Sequence, residues 1–139
     1  MPRLTVEKIY GEAKREVLKQ LVAYNTQAAG KANYQPLAIT VRDGRKIVGG
    51  LIGATFWDWL FVELLWVAAE KRRKGLGKAL LQKAETEARK RGARNAYLNT
   101  YSFQAPGFYK KLGYRQFGEL SNFPAGHKHH WLTKALDDL

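Results

Sequence analysis

The sequence predicts one α/β domain over residues 1–139, built on a mixed sheet of about seven strands. Short β-rich runs alternate with amphipathic segments of helical period, an order typical of α/β proteins. An Asp-Gly pair between two β-rich runs indicates a hairpin. A chain of 139 residues can also bury a core without disulfides or metal ions, and this one contains no cysteine.

The N-terminal part predicts a strand, a helix and a hairpin. Leu4 to Tyr10 partly alternates apolar and polar residues, which could form an edge strand. Glu12 to Ala29 carries apolar residues at helical spacing, and Gly30 is in position to end that helix. The hairpin strands are Leu37 to Val41 and Lys46 to Phe56, joined by Arg42 to Arg45.

The rest of the chain alternates strands with two helices. Leu76 to Arg91 is the strongest helix, with its apolar residues on one face. A short helix runs from Pro106 to Leu112, because proline favours a first turn and glycine a C-terminal end. Glycines interrupt the second hairpin strand at Gly49, Gly50 and Gly53, and predict a bulge or a close backbone neighbour. The remaining predicted strands are Trp59 to Val67, Asn95 to Thr100, Tyr114 to Leu120 and Lys128 to Leu136.

Composition limits the functions to consider. Without cysteine there are no disulfides, thiolate metal sites or cysteine nucleophiles. No apolar run reaches the roughly 18–20 residues of a membrane span, and Met1 to Leu4 does not begin a signal peptide. We therefore expect a cytoplasmic protein that does not bind membranes. The formal charge of +12 reflects either a solvated surface or an attraction for polyanions.

The run Arg72-Arg73-Lys74-Gly75-Leu76-Gly77 indicates a phosphate-binding loop. It lies between an apolar strand and an amphipathic helix, where free N–H groups and the positive helix end favour anions. Glycine lets the backbone approach the ligand closely. The spacing matches neither the Walker loop nor the dinucleotide-binding fingerprint.

This Arg-x-x-Gly-x-Gly pattern resembles the pyrophosphate loop of the GNAT superfamily of N-acetyltransferases. A second run, Ala105 to Tyr114, resembles that family's Ala-x-x-Phe/Leu-Tyr-x-x-x-Gly-Phe/Tyr segment. The resemblance implies a GNAT-like acyl-CoA N-acyltransferase fold, with a mostly antiparallel sheet flanked by helices. It also implies acetyl-CoA as the cosubstrate, an amine as the acceptor, direct attack in a ternary complex and no metal.

The resemblance further implies where the cosubstrate binds. Its pantetheine arm is expected beside the strand Glu63 to Val67, and its pyrophosphate on the basic loop. The family asparagine that contacts the thiolate side is replaced here by Ser102, and Asn99 or Gln104 could substitute for it. The expected cofactor-binding residues are Leu65, Trp66, Val67, Arg72, Arg73, Lys74, Gly75, Leu76, Gly77, Lys78 and Ser102.

Two residues are candidates for acid–base catalysis. Tyr109 matches the family's general acid, and a phenol with a pKa near 10 can protonate a leaving thiolate. The alternative is that Tyr109 is a core aromatic residue. Glu63 is the candidate base, as the only charged residue of its strand; the alternatives are an ion pair or a solvent-facing edge position. Asp58 is the second choice, although Trp57-Asp58-Trp59 could form a turn.

Aromatic and histidine-rich segments have weaker functional interpretations. Trp57 and Trp59 could bind a cationic amine, or could simply pack in the sheet. His127, His129 and His130 lack nearby acidic or thiol ligands, so we expect a strand near the acceptor site or a homodimer contact, and no metal site. The rival to an enzyme is a basic module that binds RNA or another polyanion, but it leaves the glycine-rich loop unexplained.

Overall fold

The computed structural model describes residues 1–136, and the chain divides into two compact units, Met1–Ala32 and Asn33–Leu139. The single domain expected over residues 1–139 stays a prediction. The helices are α1 (Tyr10–Ala29), α2 (Leu76–Lys90) and α3 (Pro106–Lys111), and a 3₁₀ turn spans Ala69–Lys71. The strands are β1 (Gln35–Asp43), β2 (Lys46–Phe56), β3 (Trp59–Val67), β4 (Asn95–Tyr101), β5 (Arg115–Ser121) and β6 (Lys128–Ala135).

The first unit contains α1, the residues that precede it and the three residues that follow it. The helix begins two residues before the predicted start and ends, as expected, at Ala29. Gly30 stops it with a positive φ of 82°, and its N–H donates to the carbonyl oxygen of Thr26 at 2.9 Å. The strand expected over Leu4–Tyr10 is wrong: residues 1–9 contain no strand, because an alternating pattern forms one only where a neighbouring strand supplies hydrogen bonds.

The second unit contains a six-stranded sheet in the order β1-β2-β3-β4-β6-β5. Within residues 1–136, β3 and β4 pair in parallel, and the other neighbouring strands are antiparallel. This confirms the mixed, mostly antiparallel sheet, with six strands in place of about seven. The hairpin turn is confirmed at Gly44, whose φ is +64°, and β3 has the predicted bounds.

Helix α2 connects the two parallel strands and covers one face of the sheet. Its apolar residues recur every three or four positions and pack against β1, β2 and β3. Leu51, Leu60, Leu81, Leu98 and Leu132 are almost completely buried in this core. No helix within residues 1–136 is long and apolar enough to cross a membrane.

Candidate active site

The candidate site lies where β3 and β4 separate. These parallel strands pair over four residues, ending at Val62 and Leu98, although β3 continues to Val67 and β4 to Tyr101. Beyond the last pair, backbone groups on the β4 side of β3 have no strand partner. A cavity of about 820 Å³ opens at this split. It is bounded by both strands, by the basic loop before α2 and by α3.

A bulge at Glu63 accompanies the separation. Val62 lies opposite Gly53 of β2, whereas Leu64 lies opposite Ile52, so Glu63 has no residue opposite it. A Cβ atom at Gly53 would collide with the main chain of β3. This explains one of the glycines that predicted a bulge in the hairpin. The Glu63 side chain is exposed and lines the cavity, and within the described residues it forms no ion pair.

The basic loop has the conformation expected of an anion-binding turn. Arg73 and Gly75 both have positive φ angles, 65° and 76°. The Nε of Arg72 donates to the carbonyl oxygen of Val67 at 3.0 Å, which ties the loop to the end of β3. This bond leaves the terminal guanidinium nitrogens of Arg72 available to a ligand.

The N-terminus of α2 faces the same cavity. The first hydrogen bond of the helix runs from Ala79 N–H to the carbonyl oxygen of Gly75, at 3.0 Å. The N–H groups of Leu76, Gly77 and Lys78 therefore precede the intrahelical ladder and are free for an anion. The first turn of the helix carries no acidic residue that would compete for them.

Gly77 has a packing role as well. A Cβ atom on Gly77 would lie 3.3 Å from Cζ of Phe108 and 3.5 Å from its Cε1. The missing side chain therefore lets the Phe108 ring lie close to the first turn of α2. Phe108 precedes Tyr109, and their rings meet edge to face with centroids 5.0 Å apart.

Tyr109 lines the cavity from α3 and is only 9% exposed. Burial raises the pKa of its phenol above the usual value, so the hydroxyl is protonated at neutral pH. The residue belongs to the hydrophobic core cluster and also faces the cavity. Its burial agrees with the alternative of core packing, and its role as the general acid stays a prediction.

The cavity brings together most of the residues predicted from the sequence. Of the expected cofactor-binding residues, it excludes Lys74 and Ser102. It also contains residues that the sequence did not single out, although Lys71 is a cation beside the basic loop and Phe108 belongs to the run Ala105 to Tyr114. The predicted residues in its wall are Glu63, Leu65, Trp66, Val67, Arg72, Arg73, Gly75, Leu76, Gly77, Lys78 and Tyr109. The additional ones include Lys71, Leu98, Thr100, Phe103 and Phe108.

The three candidates for the missing asparagine differ in position. Ser102 lies outside the cavity wall and is engaged with the start of β6, where its Oγ accepts from the Lys128 N–H at 3.1 Å. Asn99 and Gln104 both line the cavity. The Oε1 of Gln104 accepts hydrogen bonds from the Tyr101 N–H, at 3.0 Å, and from the Thr100 hydroxyl group, at 3.3 Å. These two bonds hold its amide group in place.

The predicted acceptor-binding tryptophans are not part of the cavity wall. Trp57 and Asp58 form the β2–β3 turn, both with positive φ, which confirms the alternative of a turn. Trp59 begins β3, where its ring contacts Tyr97 edge to face. Four residues of strand, roughly 13 Å, separate it from Glu63. Residue spacing alone did not show that Trp57 and Trp59 lie at the end of β3 away from the cavity.

A different aromatic group adjoins the cavity, beyond the end of β4. Phe103 lines the cavity and stacks on Tyr101 with centroids 5.3 Å apart. The His129 ring contacts the rings of Tyr101 and Phe123, with centroids 4.2 Å and 4.6 Å apart. Its Nε2 lies 2.9 Å from Oδ1 of Asn99, a cavity residue. Within residues 1–136, no group of His, Cys, Asp and Glu side chains is placed to hold a metal ion, and the expected absence of a metal site stays a prediction.

Comparisons with known proteins agree with this architecture. Residues 4–114 match the sequence model of the Acetyltransferase (GNAT) family. The acetyltransferase Atu2258 of Agrobacterium fabrum is 39% identical over 124 residues, which cover 88% of this chain and 90% of that protein. The blasticidin-S acetyltransferase of Streptomyces morookaense is 44% identical over 92 residues, covering 66% of this chain and 68% of its own.

Solved structures show the same fold. An Agrobacterium tumefaciens protein described as an acetyltransferase superposes with a TM-score of 0.90 at 35% identity, covering 97% of this chain and 99% of its own. An aminoglycoside 6′-N-acetyltransferase complexed with coenzyme A shares the fold at 21% identity and a TM-score of 0.64, covering 75% and 74% of the two chains. From its sequence match, its fold and its site geometry, the chain belongs to the GNAT family of acetyltransferases.

Proposed function

We propose that this protein transfers the acetyl group of acetyl-CoA to a primary amine by direct attack in a ternary complex. One observation carries the proposal: the β3–β4 split, the basic loop at the start of α2 and Tyr109 all border one cavity. A cytoplasmic location, expected from the sequence, is part of the same proposal.

The cavity fits the chemistry of coenzyme A. Its pyrophosphate would contact the free N–H groups of Leu76, Gly77 and Lys78, together with the Arg72 guanidinium. Its amide-containing arm would pair with unpaired backbone groups of β3 between Glu63 and Val67, where β4 has moved away. Bound acetyl-CoA supplies the acetyl group as a thioester.

Glu63 and Tyr109 then have complementary tasks. The exposed Glu63 carboxylate accepts the proton that the amine must lose, directly or through water, as the C–N bond forms. The Tyr109 hydroxyl donates a hydrogen bond to the sulfur as the C–S bond breaks. Because its raised pKa makes the phenol a weaker acid than the departing thiol, Tyr109 stabilises the thiolate chiefly as a donor. The departing thiolate then takes up a proton from solvent and Glu63 releases one to solvent, so the proton lost by the amine and the one gained by the thiol balance.

We propose a small ring-bearing amine as the acceptor. Phe103 lines the cavity, Tyr101 stacks on it, and Phe123 contacts Tyr101. Phe103 and Phe123 are exposed and can contact a flat ring. The 44% identity with a blasticidin-S acetyltransferase favours a small molecule over a protein amine. Homodimer formation stays a prediction.

Binding and turnover together test the proposal. Calorimetric titration should show that CoA binds the protein and that a short RNA does not. Arg72→Ala should weaken CoA binding about ten- to a hundredfold, the effect of losing a charge-assisted hydrogen bond. Lys83→Ala is the matched control, because Lys83 is an exposed α2 cation paired only weakly with Glu87 at 3.8 Å. Binding of RNA without CoA would support the rival polyanion-binding module.

The acceptor can be screened without background from the protein. Because the chain contains no cysteine, a thiol reagent added to the reaction reports only the CoA that is released. Small amines carrying rings should release thiol faster than alkylamines or peptide N-termini. Equal release with peptide amines would contradict the small-molecule acceptor while leaving acetyl transfer intact.

A further inference from the structure

A buried carboxylate on α2 connects three elements of the fold. Glu85 is 3% exposed, and its Oε2 accepts a hydrogen bond from the Tyr114 hydroxyl at 2.8 Å. The Lys134 ammonium donates to both carboxylate oxygens, at 3.0 and 3.2 Å. Arg89 lies one helical turn further along, 3.9 Å from Oε1. Glu85 thus joins α2 to the residue before β5 and to β6.

The hydrogen bonds around Glu85 fix the positions of its partners more than they stabilise the fold. A buried ion pair loses hydration, and apolar residues of similar volume often stabilise a protein as well or better. Its hydrogen bonds, however, require Tyr114 and Lys134 to lie at defined positions around one carboxylate. Tyr114 lies three residues after the end of α3, the helix that carries Tyr109, and Lys134 lies on β6.

Tyr114 is attached directly to Tyr109. The Tyr114 N–H donates to the carbonyl oxygen of Tyr109 at 3.1 Å. The two rings also meet edge to face, with centroids 6.1 Å apart. A shift of the Tyr114 ring is therefore transmitted to the backbone and ring of Tyr109.

Helix α2 consequently contacts the chain on both sides of Tyr109, at Phe108 of α3 and at Tyr114 beyond its end. Gly77, in its first turn, accommodates the Phe108 ring. Glu85, two turns later on the same face, holds Tyr114. Tyr109 lies between these contacts in sequence, and the same helix begins at the basic loop. One rigid element therefore links the anion-binding loop and the phenol.

We propose that Glu85 and Tyr114 are positioning residues for Tyr109. They hold its hydroxyl group in a fixed position relative to the cavity formed by the basic loop and the β3–β4 split. The proposal rests on the function proposed for Tyr109. Neither residue lines the cavity, so each acts through Tyr109 and not on a ligand.

A double-mutant cycle tests this role. Tyr114→Phe keeps the ring and removes the bond to Glu85. It should lower kcat roughly ten- to a hundredfold, as expected when a catalytic group is misplaced, with CoA affinity changed less than about twofold. In a Tyr109→Phe background the same substitution should cause no further loss, because the hydroxyl that it positions is absent. Equal losses in both backgrounds would overturn the proposal.

A spectroscopic measurement reports the position of Tyr109 independently of activity. In protein labelled with ¹³C-tyrosine, the Tyr109 ring signal is assigned by its disappearance in Tyr109→Phe. It should shift in Tyr114→Phe and in Glu85→Gln. It should stay in place in Glu87→Gln, a control on the same helix whose carboxylate makes only surface pairs with Lys83 and Lys90. An unmoved signal in Tyr114→Phe would overturn the positioning role.

A failure of the function proposed for Tyr109 can be distinguished from a failure of its positioning by Tyr114. If Tyr109→Phe alone leaves kcat unchanged, Tyr109 does not assist thiolate release, whatever the ring signal shows. A shifted signal would then still support positioning of Tyr109 by Tyr114, and an unshifted one would remove that as well. If Glu85→Gln does not fold, Tyr114→Phe still decides the matter, because it leaves the Glu85–Lys134 pair intact.

Discussion

Replacing Gly53 with alanine should disturb the β3–β4 split from its β2 side. The added methyl group would collide with the carbonyl oxygen of Phe61. It would also lie 3.3 Å from the carbonyl carbon of Phe61 and 3.4 Å from Cα of Val62. These are main-chain atoms, so no side-chain rotation can relieve the collision. The strand β3 itself must move, and with it the bulge at Glu63.

The loss of folding stability in Gly53→Ala can be compared with the effect of the same substitution at a second glycine. Overpacking of this kind typically destabilises a protein by about 1–3 kcal/mol. Gly118, in β5, also lies at a register shift, but its new Cβ would be 3.7 Å from Cβ of Trp131, an ordinary contact. Its φ is outside the positive range, so alanine there should be neutral or stabilise by roughly 0.4–1 kcal/mol through the unfolded chain.

Urea denaturation of the wild type and the two variants measures this difference. Gly53→Ala should unfold at lower urea than the wild type, and Gly118→Ala at the same or higher urea. Turnover should fall in Gly53→Ala at temperatures where it is fully folded, because Glu63 is displaced. Equal midpoints for the two variants would show that β2 and β3 can separate at Gly53 without cost, and would refute the reasoning.

Two further predictions concern pH. Glu63→Gln should lower kcat most near pH 7 and recover part of it at higher pH, where free amine is abundant; a uniform loss in the pH–rate profile would indicate a binding role. Burial and then the neighbouring charge of His130 lower the pKa of His129 below its usual value of 6.5. The unfolded chain therefore binds more protons between that lowered pKa and about 6.5, so stability rises with pH across this window and is lost on acidification. His129→Gln should flatten that dependence in denaturation midpoints measured from pH 5 to 7, about the range of histidine titration; an unchanged slope would mean that His129 protonates without cost to folding.

Local chemistry of the sequence determined the elements and the loop. Helix α2 begins at Leu76 as predicted, and β3 has its predicted bounds. The patterns that predicted them are helical periodicity, runs of β-branched or aromatic residues, and glycines at the ends of elements, and each of these acts over only a few residues. The loop from Arg72 to Gly77 was recognisable for the same reason: its positive φ angles and free N–H groups depend on neighbours in sequence. Only the Leu4–Tyr10 strand was wrong, since a strand needs a distant partner.

The tertiary structure decided which of those residues meet. Glycines in β2 predicted a bulge, but only the pairing register placed Glu63 in it. Trp57 and Trp59 were the predicted acceptor contacts, but the strand direction places them at the end of β3 away from the cavity, and the aromatic residue Phe103 lines the cavity in their place. Glu85 looked like one more charged helix residue, yet folding buries it against Tyr114 and Lys134. Such contacts join residues 29 to 49 positions apart, and no local pattern encodes them, because register, strand order and burial are set by packing of the whole sheet against α2.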